Sequence, residues 1–288
     1  MVQLWYPAQK SPAGAQRAQY LGRTEQEART VSDALAGAVC LPGFLVDGVP
    51  RARTHAVFNA PVAGGGDRFP VVLFSPGAGG VRTQNTAWAE ELASHGYVVA
   101  ALDHPYDSAA VVLDDGRTIR AATASTGDRD ADEELAAGWT AVRAADLGFV
   151  LTRLESLDRG TIAAPLVGRE PSTGRLDTAR AAVTGHSMGG AAALQAARQD
   201  PRFAAVIDLD GYPHGPTSSP SPRSPSWTPR CGTRPATWPA RCPPTAASAS
   251  IARTTPADLP RRHRPTAARG ARSRAGAAPG RWSGPGGT

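Results

Sequence analysis

Continuous apolar runs set the frame of this chain. Phe69-Pro70-Val71-Val72-Leu73-Phe74-Ser75 and Tyr97-Val98-Val99-Ala100-Ala101-Leu102-Asp103 do not alternate with polar residues. That is the pattern of strands buried on both faces of a parallel sheet. Phe203-Ala204-Ala205-Val206-Ile207-Asp208-Leu209-Asp210-Gly211 reads as a further strand. Between these runs the period changes. Residues 85–95 carry Ala87, Trp88, Glu91 and Leu92 at helical spacing, with Gly96 placed as a stop. Residues 133–157 predict a long helix with Val142, Leu147, Val150, Leu151 and Leu154 as its apolar face. Val2, Leu4 and Tyr6 alternate at the start, so the chain opens directly in a strand, whose pairing partner is expected to be missing. Residues 8–66 read as a long irregular insertion with a short helix near 33–37, of the kind that often covers an active site. Strand alternating with helix predicts an α/β fold: a mostly parallel sheet with helices on both faces. In such sheets the chemistry sits at the carboxyl ends of the strands.

The most informative stretch is Ala181-Ala182-Val183-Thr184-Gly185-His186-Ser187-Met188-Gly189-Gly190, followed by the helical run Ala191-Ala192-Ala193-Leu194-Gln195-Ala196-Ala197-Arg198. It is a strand, a tight turn and a helix. Gly-x-Ser-x-Gly in that setting is a nucleophile elbow. Gly185 and Gly189 leave room for strand to pack on helix, and the turn presents the Ser187 hydroxyl. The Met188 N–H sits at the positive end of the helix, where an oxyanion would be stabilised.

Composition changes the picture at one place. The net charge of +6 is not spread over the 288 residues. Residues 1–216 hold 19 Lys+Arg against 24 Asp+Glu, and residues 217–288 hold 12 Arg against Asp258 alone. Those last 72 residues also hold 13 Pro, with Ile251 and Leu259 their only Ile, Leu, Val, Phe or Met. Such a segment cannot bury enough apolar surface to offset its ordering entropy, so it is expected to be a disordered Arg/Pro-rich tail. Three cysteines, Cys40, Cys231 and Cys242, make no disulfide framework. Neither a signal-peptide pattern nor a long apolar span is written in the chain. As written it reads as cytoplasmic, and as exported if an upstream segment is missing. Metal-ligand spacings such as His-x-x-x-His or Cys-x-x-Cys do not occur.

The ordered part resembles the α/β-hydrolase superfamily. Within it, the chain looks like the plasma-type platelet-activating factor acetylhydrolases and their bacterial relatives. The resemblance is carried by Leu4-Trp5-Tyr6-Pro7, by Phe74-Ser75-Pro76-Gly77-Ala78-Gly79-Gly80-Val81-Arg82-Thr83 and by Leu92-Ala93-Ser94-His95-Gly96-Tyr97-Val98-Val99-Ala100. Leu102-Asp103-His104, the Gly185 to Gly190 elbow and Leu209-Asp210-Gly211 complete it. Pro76 departs from the family, which usually has His before the oxyanion-loop Gly. The resemblance implies an esterase or lipase with Ser187 as nucleophile, an acyl-enzyme intermediate, and Ala78 and Met188 as oxyanion-hole donors. It implies a small ester or phospholipid-like substrate and no cofactor, and leaves contact with a membrane surface open. No specific nucleic acid is expected, because the Arg-rich tail has no Lys, few aromatics and no folded motif. Asp210, 23 residues after Ser187, is the implied acid. Asp208 is its rival on the same side of the strand, one pleat deeper, where an unpaired carboxylate is costly. Asp103, His104 and His186 read as structural.

The third catalytic member should be a histidine about fifty residues past the acid, beyond two more strands. There the pattern breaks. His263 has the spacing but lies in Arg261-Arg262-His263-Arg264-Pro265, and His214 lies four residues past Asp210. The base is therefore His263, His214 or absent. The expected domain is residues 1–216, incomplete at both ends with its C-terminal strands missing, followed by 217–288 as a frameshifted or foreign reading. Two further readings stand beside the esterase: a hydrolase fragment crippled by the loss of its histidine, and a hydrolase-like body with a basic nucleic-acid-binding tail.

Overall fold

The computed structural model describes residues 1–10, 14–122, 125–162 and 173–213. The chain separates into two compact units, Met1–Ala252 and Arg253–Thr288, and every described residue belongs to the first. The domain boundary expected at residue 216 and the tail expected to be disordered both lie outside the described residues.

In chain order the elements are β1 (Val2–Trp5), β2 (Arg17–Gln19), α1 (Glu25–Ala38), β3 (Arg53–Val57), β4 (Phe69–Ser75) and α2 (Thr86–Ser94). Then follow β5 (Val98–Leu102), β6 (Ala110–Val112), β7 (Thr118–Arg120), α3 (Arg129–Asp158), β8 (Leu176–His186), α4 (Met188–Gln199) and β9 (Phe203–Leu209). One five-stranded sheet, in the order β1-β5-β4-β8-β9, carries the fold. Pairings β5–β4, β4–β8 and β8–β9 are parallel, and β1 joins β5 antiparallel. The expected mostly parallel α/β sheet is therefore present, ending at β9 among the described residues.

Period-two geometry explains why the central strands read as continuously apolar. Val71 and Leu73 of β4 face one core, with Val98, Ala100 and Leu102 of β5 and helices α3 and α4. Val72 and Phe74 face the other, with Val99, Ala101, Trp5 and helix α2. Both faces are covered, so neither side of these strands can be polar.

Several sequence expectations need correction. β1 does have a partner, since Val2 to Trp5 pair in register with Leu102 to Val99. Residues 8–66 are not irregular throughout: the described ones carry the 14-residue helix α1, a β2–β3 ribbon and two short 3₁₀ turns. On α2 the buried residues are Thr86, Ala89 and Ala93, whereas Ala87 and Glu91 are exposed. On α3 Val142 is 51% exposed, while Leu147, Val150, Leu151 and Leu154 are buried as expected. At roughly 100° per residue, Val142 lies about 140° around the helix from Leu147, and Arg143 only about 40°. The stripe therefore continues through Arg143, which is fully buried. The β6–β7 hairpin consists of two three-residue strands, too short for an apolar pattern to mark. Cys40 is disulfide-bonded; the other cysteines, Cys231 and Cys242, lie outside the described residues.

The insertion is tied to the sheet by charge. Arg82 is buried and donates to both carboxylate oxygens of Asp103, by its backbone N–H at 2.6 Å and by its guanidinium. Its other arm reaches Glu27 of α1 at 2.6 Å, and Arg23 holds the second Glu27 oxygen at 2.7 Å. Asp103 is thus structural, as expected.

Candidate active site

The elbow forms where β8 runs into α4. Ser187 sits between them at φ 52°, ψ −125°, the left-handed side that a non-glycine residue rarely adopts. Close packing holds it there. A Cβ on Gly185 would overlap the backbone of Gly189, and one on Gly189 would overlap the carbonyls of Ser75 and Pro76. The β8-to-α4 turn can therefore lie against the end of β4 only with glycine at both positions. Backbone bonds complete the turn: Ser187 N–H donates to Leu209 O at 2.9 Å, and Gly190 N–H to Ser187 O at 2.8 Å.

The loop leaving β4 packs on this turn. A Cβ on Gly77 would stand 3.4 Å from Ser187 Cβ and 3.1 Å from His186 Nδ1. Pro76 and Gly77 are buried, and Ala78 is exposed beside them. Ala78 N–H forms no backbone hydrogen bond among the described residues. Met188 opens α4, so its N–H has no intrahelical acceptor. Two donors with no backbone acceptor among the described residues thus come from segments that touch at Ser187.

β9 brings the carboxylates. It pairs His186 with Leu209, so Asp210 emerges one residue beyond the register of the elbow. Asp210 is exposed at φ 59°. Asp208 lies deeper, as expected. Its Oδ1 accepts the Gly211 N–H at 2.8 Å and fills the space beside Gly190. Burial, with the neighbouring Asp210 charge, pushes the Asp208 carboxyl above its ordinary value, against the Gly211 hydrogen bond.

The histidines divide. His186 Nδ1 is buried without a hydrogen-bond partner among the described residues. His104 is buried, with Nε2 2.9 Å from Ser75 Oγ and Nδ1 2.7 Å from Asp146 Oδ2. His104 is committed to the interior, in keeping with a structural reading, whereas His186 as a whole is half-buried. His214 and His263 lie outside the described residues.

What the sequence reading missed lies beneath the loop. Arg143 of α3 donates to Pro76 O, to Gly77 O at 3.1 Å and to Ser75 Oγ at 3.4 Å, while its Nε pairs with the buried Asp107. The signal was an arginine on an apolar helical stripe.

Comparison with known proteins follows the same lines. The family model for platelet-activating factor acetylhydrolase, isoform II, matches residues 1–226. The platelet-activating factor acetylhydrolase of Cavia porcellus is 31% identical over 172 residues, covering 56% of this chain and 38% of the relative. That of Canis lupus familiaris is 32% identical over 171 residues, covering 55% and 38%. A probable 1-alkyl-2-acetylglycerophosphocholine esterase of Arthroderma benhamiae is 29% identical over 176 residues, covering 59% and 40%. The matched stretch thus spans well under half of each of these relatives. Among solved structures, a ferulic acid esterase from Streptomyces cinnamoneus superposes with a TM-score of 0.54 and 34% identity, over 76% of this chain and 53% of that one.

Proposed function

The chain belongs to the platelet-activating factor acetylhydrolase, isoform II, family, and from that membership we propose that it is a carboxylic ester hydrolase of the serine type. The observation that carries the reading is Ser187, held at φ 52° where the 76–80 loop, the α4 N-terminus and the end of β9 meet. Ser187 Oγ attacks the ester carbonyl, and the Ala78 and Met188 N–H groups receive the oxyanion. A lost donor of this kind costs about 2.7–4 kcal/mol in the transition state. The alcohol leaves, and water hydrolyses the acyl-enzyme. Asp210 orients the histidine that moves the proton. That histidine is sought at His214 or His263, or in another reading frame downstream of the Pro216 codon.

The substrate is a small or phospholipid-like ester with a short acyl group, in line with the acetyl esters named for the relatives. A second reading, a hydroxycinnamoyl ester, is favoured by the solved ferulic acid esterase, which covers more of this chain at comparable identity. The test is fluorophosphonate labelling together with turnover of p-nitrophenyl acetate and methyl ferulate, each against Ser187→Ala. Labelling and turnover that vanish in the variant support the reading, and the preferred ester chooses between the substrates. Labelling that persists in Ser187→Ala overturns it. Translation of the nucleotide sequence past Pro216 in the other two frames locates the base. The expected frame shows two apolar strands and a histidine about fifty residues past Asp210.

A further inference from the structure

Arg143 is the largest side chain fully buried in the described structure, and its charge is matched by Asp107, equally buried. A guanidinium is costly to bury even when paired. One carboxylate uses only part of its donor fork. The remaining donors go to the carbonyls of Pro76 and Gly77, consecutive residues of the loop beside Ser187. A trans peptide sets its C=O and N–H on opposite sides, and no peptide bond here is cis. Fixing Gly77 O toward Arg143 therefore turns the Ala78 N–H away from α3. Fixing Pro76 O does the same for the Gly77 N–H.

The rest of the network braces the same loop. Gly80 N–H donates to Gly77 O at 2.9 Å, and Ala109 N–H to Gly79 O at 3.1 Å. Ser75 Oγ links Arg143 to His104 and, through it, to Asp146. Loop 76–80 is glycine-rich and would sample many conformations unaided.

We propose that Arg143, backed by Asp107, is the positioning residue of the oxyanion loop: its planar fork holds two consecutive carbonyls so that the Ala78 N–H is preset toward the oxyanion. The inference rests on the reading of Ala78 as an oxyanion donor. Arg143 touches no substrate and acts through the loop.

The deciding variant is Arg143→Lys. It keeps the charge opposite Asp107 but has no fork to span two carbonyls. Hydrogen exchange is the first readout, because it does not depend on turnover. The Gly80 amide should exchange about tenfold or more faster, while amides of β4 and β8 keep their protection. Fluorophosphonate labelling of Ser187 should slow by about 10–100-fold. Ester turnover should lose kcat by a like factor with KM within about threefold. If Arg143→Lys does not fold, Arg143→Gln/Asp107→Asn, which leaves no buried charge unpaired, is measured instead. An unchanged Gly80 amide, full rescue by lysine, or loss of protection spread evenly over the sheet would each overturn the proposal. If the parent chain does not label at Ser187, the esterase reading fails, and the Gly80 amide still decides whether Arg143 positions the loop.

Discussion

Asp208 accepts the backbone N–H of Gly211 at 2.8 Å, closing the turn from which Asp210 projects. The two carboxylates, rivals in the sequence, therefore hold different posts. Asp208 shapes the turn and Asp210 is its exposed product.

Replacing each tests that division. Asp208→Asn keeps an oxygen acceptor for Gly211, so it should leave turnover within about threefold, whereas Asp210→Asn should cost up to about 10⁴. Asp208→Ala should fall between, because the turn is loosened. The raised Asp208 pKa gives a sign for stability. The folded state disfavours its charge, so Asp208→Asn should be no less stable at neutral pH. Kinetics and urea midpoints for the three variants decide it. Equal losses in the two Asn variants would reverse the assignment.

Gly189→Ala sets two effects against each other. In a helix, Ala is favoured over Gly by about 1 kcal/mol. Here the new Cβ would overlap the Ser75 and Pro76 carbonyls, which are backbone and cannot swing aside. Overpacking of that kind costs about 1–3 kcal/mol. Clash should win, so the variant unfolds at lower denaturant and labels more slowly with fluorophosphonate. A gain in stability would show that the 76–80 loop yields more easily than its packing suggests.

His104 should make the fold sensitive to acid. Burial, against the hydrogen bond to Asp146, holds its pKa below the ordinary value near 6.5. Between the folded and unfolded values the unfolded chain binds more protons. Stability is therefore full above about pH 6.5 and is lost as pH falls toward the folded pKa. Denaturant titrations from pH 7.5 downward should show this slope, and His104→Asn, which cannot titrate, should flatten it. An identical slope in the variant would place the acid sensitivity elsewhere.

Arg82→Met should be among the most destabilising single changes. It strands Asp103 and one arm of Glu27 in the interior. Breaking a buried pair in that way costs about 3–5 kcal/mol. Glu27→Gln should cost less, since Arg82 keeps Asp103. Against burial, which raises it, Arg82 and Arg23 hold the Glu27 carboxyl below its ordinary value. That share of stability is present above about pH 4.5 and fades in acid as Glu27 protonates. Unfolding free energies of the two variants and their double mutant give the coupling.

The central strands β4 and β5, the elbow and the choice of glycines were legible in the sequence because each is a local demand. A strand buried on both faces must be apolar throughout, and a turn without room for a Cβ must be glycine. Tertiary structure alone decided where the buried charges go. Arg143 and Asp107 are 36 residues apart, as the hydrogen bond joining them records, and neither predicts the other from its neighbours. The same is true of Arg82 with Glu27, and of Ser75, His104 and Asp146. A polar group is tolerated inside only when distant segments deliver its partners. No periodicity within one segment announces that, so apolar spacing alone points to Val142 as core, while the fold buries Arg143 beside it and leaves Val142 on the solvent side of α3.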